Sequence, residues 1–220
     1  MTDKNQQVMS FVESERGLSV KSFVEKRGWE QDADFVKRVV TNELTADDEE
    51  WMQSKLEDCD HCADSRSKVE YGAELIRSWL IEDLLAEKLA MQGFPTTLCG
   101  KDNNREFLAN PNGDADLSIE TPNGTFYVEI ITDYGGFWQS QNVVDFRDTK
   151  LDTLQNYDNI LIIGYDIENT DIVVFNPREV DSEYMNSHPA WNKPAYRVTV
   201  DNNWFYSLSN IPKAVNNQIK

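Results

Sequence analysis

Gly113-Asp114-Ala115-Asp116-Leu117-Ser118-Ile119-Glu120-Thr121 leads through Pro122-Asn123-Gly124 into Thr125-Phe126-Tyr127-Val128-Glu129-Ile130-Ile131-Thr132. Apolar and polar residues alternate over Asp116–Glu120 and again over Thr125–Thr132, with a Pro-Asn-Gly turn signal between them, so the stretch predicts a β-hairpin. Asp116 opens one strand and Glu129 lies late in the next, with twelve residues between them. On a hairpin that spacing brings two carboxylates to the same end of the sheet. Such a pair, with a backbone carbonyl and waters, suits a hard divalent cation, and Mg²⁺ is typically held by one or two carboxylates plus substrate phosphate. A metal held there can activate water and stabilise charge developing on a phosphodiester. The plain alternative is that acids at strand ends are simply solvated. Asp114 is the other candidate ligand, but Asp116 directly precedes the alternation and so lies nearer the strand.

Upstream, Leu75, Ile76, Trp79, Leu80, Leu84, Leu85 and Leu89 form a broad apolar face that predicts a helix from about Val69 to Gln92, stopped by Gly93. Phe94–Cys99 is a short strand candidate. Downstream, Val143, Phe146, Leu151 and Leu154 give Asn142–Asn156 helical spacing, Ile160–Tyr165 reads as a buried central strand, and Asp171–Phe175 as another strand. The order helix, three strands, helix, two strands predicts an α/β protein, a mixed sheet with helices on its faces. Residues 1–64 read as a small helical N-terminal subdomain, through Val8, Phe11 and Val12, then Val20, Phe23 and Val24, then Phe35, Val36, Val39 and Val40. Thr45 followed by acids at Asp47–Glu50 marks a helix start there. A helix-turn-helix is possible in this stretch, but its acidity favours a plain packing module. Residues 65–180 form the core, and 181–220 an aromatic and Asn-rich extension packed on it.

In 220 residues, 21 Lys+Arg against 39 Asp+Glu leave a net charge of −18, and both halves of the chain carry an acid excess. Ten Phe, eight Tyr and six Trp can fill a real core, which argues against global disorder. No apolar run reaches the ~18–20 residues that span a bilayer, and Met1–Ser10 lacks the order of a signal peptide, so a soluble, cytoplasmic protein with no membrane partner is expected. Three cysteines cannot pair completely, which fits a reducing compartment. The acidity repels nucleic acid at long range, so any contact with it needs a local basic face or a metal. From Tyr184 to Lys220 the balance reverses: Lys193, Arg197, Lys213 and Lys220 face only Asp201. Amides, aromatics and Arg are the residue types that contact bases and backbone, which makes Lys193 and Arg197 candidate nucleic-acid contacts.

The order from the long helix to Ile163 resembles the PD-(D/E)XK nuclease superfamily, the restriction-endonuclease-like fold. Ile81-Glu82-Asp83-Leu84-Leu85 through Gly93-Phe94 resembles the family's first core helix; Asp116 matches its metal-binding Asp and Glu129 the acid of its next strand. The resemblance implies a Mg²⁺-dependent endonuclease acting on DNA, duplex above all, with Mn²⁺ as a substitute. Type II restriction enzymes and phage-type or repair nucleases both fit, and a homodimer is common among the former. It casts Asp116, Glu129 and Glu82 as metal-binding and catalytic residues, Glu82 directly or through water. One departure stands out: the family's Lys two residues after the Glu is Ile131 here, and an aliphatic chain carries neither charge nor hydrogen bond. Some members of the superfamily move this Lys to the following helix, where Arg147 and Lys150 are three residues apart and share a face. Lys150 is then the replacement catalytic Lys and Arg147 a phosphate clamp. The rival reading is a nuclease fold without catalysis, an acidic DNA mimic or protein-binding module.

Thr132–Gln139 holds Gly135-Gly136 beside Tyr134, Phe137 and Trp138, aromatics that suit stacking on bases or plugging the sheet end. Cys59-Asp60-His61-Cys62 offers soft ligands at a spacing unlike a standard zinc module, and His188 has no evident nucleophile beside it.

Overall fold

The computed structural model describes residues 20–57, 67–99, 114–190 and 192–219. The expected helix at Val8–Val12 and the Cys59–Cys62 cluster lie outside these residues. The described chain forms two compact units, one ending at Glu87 and the other comprising Lys88–Cys99 and the residues from Asp114 onward.

The first unit is helical: α1 (Val20–Arg27), α2 (Ala33–Thr41), α3 (Ala46–Lys55) and most of α4 (Lys68–Met91). Local chemistry sets the helix ends. The Asp32 side chain accepts from the Phe35 amide at the start of α2, and Asn42 closes that helix in the left-handed region at φ 61°. At the helix start that the sequence predicts, Thr45 and Asp48 form a reciprocal capping box at the head of α3. Trp29 lies at the centre of an aromatic cluster, with ring centroids 5.7 Å from Phe23, 5.7 Å from Trp51 and 6.2 Å from Trp79. Beside it Arg27 and Asp83 make a buried ion pair at 2.7 Å. Asp48 also takes a two-pronged bond from Arg38, at 2.7 and 2.8 Å.

The second unit carries a six-stranded sheet in the order β1-β2-β3-β5-β6-β9, from β1 (Thr96–Leu98), β2 (Leu117–Thr121), β3 (Gly124–Asp133), β5 (Ile160–Asp166), β6 (Asp171–Phe175) and β9 (Phe205–Ser207). Only β3 and β5 pair in parallel, so the sheet is mixed. A parallel neighbour requires a long crossover, here α5 (Phe137–Gln141), β4 (Val143–Arg147) and α6 (Asp148–Leu154). β5 is buried along its whole length, as its unbroken apolar run predicts. The helix expected over Asn142–Asn156 is a correction: Val143–Arg147 is a strand, and only Asp148–Leu154 is helical. Val143 and Phe146 are three apart and mimic a helical face, but Asn142 turns left-handed at φ 54° and β4 pairs with β8 (Ala195–Thr199). β8 pairs in turn with β7 (Ser182–Met185), giving a three-stranded sheet. Residues 181–219 therefore supply three strands and α7 (Ile211–Gln218), beyond the extension that the sequence predicts.

The core beneath the crossover joins Ile131, Trp138, Val144, Phe146, Leu154, Ile162, Val173 and Phe175. Asp133, at the end of β3, accepts from the amides of Gly135 and Trp138 and so sets the turn into α5. Gly136 takes a left-handed φ of 64° there. Trp138 then lies over Gly164 of β5, where an added Cβ would come within 2.8 Å of the indole and 2.7 Å of Val173. The glycine is required by this close approach and not by backbone conformation.

The capping box and the Arg38 fork hold the Asp48 carboxyl at a pKa of about 2, with the guanidinium bond the largest cause. A folded pKa below the unfolded 3.8 stabilises the protein above pH 4, and that contribution is lost as pH falls through about 2. Asp48→Asn should therefore cost about 2 kcal/mol at pH 6, with the gap from wild type closing towards pH 2. Urea unfolding of the full chain, followed by Trp fluorescence at each pH, measures this; a gap constant with pH would contradict it.

Candidate functional site

Strand register brings the two predicted carboxylates together. β2 and β3 pair as far as Leu117 opposite Val128; Asp116, expected to open the strand, is the residue just before it, and the same register continued by one step places it beside Glu129. Residues directly opposite in an antiparallel pair point to the same face. Lys150 reaches this face from the first turn of α6: its ammonium is 3.0 Å from Asp116 Oδ2 and ion-pairs with Glu129 Oε2. The Ile130 amide donates to the same Asp116 oxygen at 2.7 Å, so the backbone of β3 fixes the side chain of its partner strand. The Glu129 side chain is 3% exposed, Asp116 19% and Lys150 31%, so the cation stands at the mouth and Glu129 at the floor.

Neighbours along β3 explain the dry floor. Alternation puts Tyr127, Glu129 and Ile131 on one face; Tyr127 stacks on Tyr157 with centroids 3.8 Å apart, and Ile131 is part of the core. Burial lifts the Tyr157 hydroxyl above its usual pKa, partly offset by a hydrogen bond with the Ala115 backbone. Ile131 is thus a packing residue, and Lys150 delivers its cation to the carboxylate pair from the crossover.

Burial raises the Glu129 carboxyl well above the usual carboxylate range, and the Asp116 charge raises it further against the pull of Lys150. Burial disfavours the Lys150 ammonium, but the two carboxylates outweigh it and keep that group protonated beyond the ordinary lysine range. Two carboxylates and one ammonium in contact on a largely buried face couple the protonation of all three groups.

The other predicted residues stand as follows. Glu82 is buried on α4, in the first unit. Arg147, expected on a helix face, is the exposed last residue of β4 and occupies the N-cap position of α6 without a side-chain cap bond. Lys193 is exposed in the loop before β8. Arg197 of β8 donates through Nε and Nη2 to Asp145 of β4, both at 2.7 Å. His188 completes this cluster: its Nε2 is 2.9 Å from Asp145 Oδ2, and its Nδ1 accepts from the Ala190 amide at 3.2 Å, which makes Nε2 the protonated nitrogen. Burial opposes the Asp145 charge, yet the guanidinium and imidazole bonds hold its pKa below the ordinary value. The cluster spans 52 and 43 positions of sequence, and no local pattern announces it.

No protein-family model matches the chain, and no curated protein matches it. Among the described residues no group of three or more His, Cys, Asp and Glu side chains assembles into a potential metal cage. No helix there is long and apolar enough to cross a membrane.

Removing Lys150 tests the electrostatics. Breaking a fully buried ion pair costs roughly 3–5 kcal/mol; with Lys150 31% exposed, Lys150→Met should cost about 2 kcal/mol at pH 8. A carboxyl with a raised folded pKa holds its proton more tightly folded than unfolded, so its contribution is greatest below the unfolded value and falls as pH rises. Without the ammonium Glu129 shifts further upward, and the deficit of the variant should shrink from pH 8 to pH 5 in urea titrations. An equal deficit at both values would contradict the assignment.

Proposed function

We propose that this chain is a Mg²⁺-dependent endonuclease hydrolysing DNA phosphodiester bonds, on a core of the restriction-endonuclease-like kind. The observation that carries the reading is the arrangement of Asp116, Glu129 and Lys150: two carboxylates from a hairpin and a Lys from the following crossover, converging at one end of a mixed sheet. The order of helix, hairpin, crossover and parallel strand supports it. Neither packing nor solubility requires two acids to face each other on a largely buried face.

Asp116 and Glu129 would hold the metal, and the donor set fits it: both are hard oxygen ligands, and together they already engage a cationic group. Bound there, Mg²⁺ supplies Lewis-acid polarisation of a phosphoryl oxygen and lowers the pKa of water. The Ile130 amide keeps Asp116 in place while substrate enters. Lys150, held protonated by its neighbours, donates hydrogen bonds to a non-bridging phosphoryl oxygen or to the attacking water and places positive charge where the transition state gains negative charge. It does not act as a base. Tyr127 and Ile131 flank Glu129 and limit water around it, which strengthens each of these interactions. Action on duplex DNA as a homodimer belongs to the same proposal.

A second reading has an observation of its own. Ile131 is a core residue and Lys150 neutralises the carboxylates internally, as in a structural brace. The −18 charge would then serve a DNA mimic or protein-binding module directed at a basic partner. Plasmid cleavage with Mg²⁺ or Mn²⁺ by wild type, Asp116→Ala, Glu129→Ala, Lys150→Ala and Glu82→Ala separates the two. Loss of about 100-fold or more is expected for Asp116→Ala, Glu129→Ala and Lys150→Ala. Calorimetric titration with Mn²⁺ should give a site in wild type that weakens in Glu129→Ala. An inert wild type on duplex, branched and single-stranded DNA, without site-specific Mn²⁺, would sink the nuclease reading and leave the brace.

A further inference from the structure

The cations of the second unit are almost all engaged internally. Lys150 bridges Asp116 and Glu129, Arg197 grips Asp145, Arg178 donates to the carbonyls of Leu154, Gln155 and Asp158, and Lys213 lies over the Tyr206 ring. Arg147 and Lys193 are different: both are exposed, and among the described residues neither has an ion pair, side-chain hydrogen bond or ring contact. In a chain of charge −18 two such cations on adjoining segments call for an explanation.

Strand register brings together the segments that carry them. Arg147 pairs with Ala195, two residues after Lys193, and the Asp148 amide reaches the Pro194 carbonyl at 3.4 Å. The loop carrying Lys193 is closed on itself: the His188 amide donates to the Lys193 carbonyl, and the Asn192 amide to the His188 carbonyl, each at 2.8 Å. His188 in turn is pinned to Asp145, which lies two residues before Arg147 and so on the same face of β4. Arg197 cancels the Asp145 charge, so the acid beneath this face does not neutralise the cations above it. Of the other acids nearby, Asp148 accepts from the Thr149 amide and Glu183 of β7 lies opposite Arg197. Arg147 precedes Lys150 by three residues, so the pair flanks the element that enters the carboxylate site.

We propose that Arg147 and Lys193 form a pre-organised anchor for the backbone phosphates of a nucleic acid, seated beside the phosphate that meets Lys150. The Asp145, Arg197 and His188 cluster positions it. This anchor rests on the nucleic-acid reading above but not on catalysis. Arg147 supplies a planar fork for one phosphate and Lys193 a point charge for the next. The grip is on the backbone and therefore independent of sequence.

The test measures binding of a fluorescent 20-base-pair duplex, and of the single strand of the same length, in EDTA over about 20–200 mM salt. Arg147→Ala with Lys193→Ala should weaken duplex binding at least fivefold at low salt, equally for unrelated sequences. It should also flatten the slope of log K against log salt by about 1.8, since each phosphate contact contributes about 0.9. Lys26→Ala with Lys213→Ala makes the same charge change elsewhere and should leave the slope unchanged. Thermal melts establish that all variants fold. An unchanged slope in the first pair, an equal loss in the control pair, or a wild type that binds neither probe would overturn the anchor. Metal-dependent cleavage is scored separately: binding lost with the anchor pair in a protein that cuts nothing supports the anchor and defeats the hydrolytic reading.

Discussion

Two carboxylates brought together at one end of a hairpin, one of them almost sealed from solvent, cannot both be charged without a cation between them. Much of the second unit can be understood as the means of delivering that cation. Lys150 reaches the pair only because α6 begins immediately after β4, without a loop to loosen it. β4 lies where it does because β8 pairs with it along five residues, and the pairing is riveted by Arg197 and His188 on Asp145. The parallel register of β3 and β5 then requires the crossover that contains all of this. A charge conflict at one end of a hairpin is thus resolved by chain that follows it, some of it about 80 positions later.

The parts legible in the sequence are those fixed by neighbours in the chain. Alternation and a Pro-Asn-Gly turn specify the hairpin, an unbroken apolar run specifies β5, and Thr45 with Asp48 specifies the start of α3. The pairing of Asp116 with Glu129 follows from hairpin register alone. Lys150 as their partner follows from family resemblance and the absence of a Lys at Ile131, not from any local pattern. β4 was illegible because Val143 and Phe146 fit a helical face as well as a strand, and the decision belongs to β8. The Asp145 cluster was illegible for the same reason: ion pairs between distant residues leave no periodicity. Arg147 and Lys193 are ordinary surface cations in sequence, and only strand register brings their segments together.

Internal pairing also alters the meaning of the net charge. Acids such as Asp83, Asp48, Asp116, Glu129 and Asp145 have cationic partners within the fold. The exposed excess is carried by other acids, among them Asp47, Glu49 and Glu50 on α3. Repulsion of a polyanion is therefore a property of the outer surface, falling off within about 10 Å at 0.1 M salt, whereas the proposed anchor and carboxylate site would act at contact.

The missing side chain at Gly164 has a consequence for which sequences can adopt this fold. Trp138 and Val173 together fill the space that a Cβ at 164 would claim. A larger residue at 164 is tolerable only after both of them have given way, while a smaller residue at 138 leaves a void over the glycine. Each single change is therefore destabilising, and its cost depends on what occupies the other two positions. The three positions thus behave as one heritable unit, and descendants of this chain would be expected to keep them together or to exchange them together.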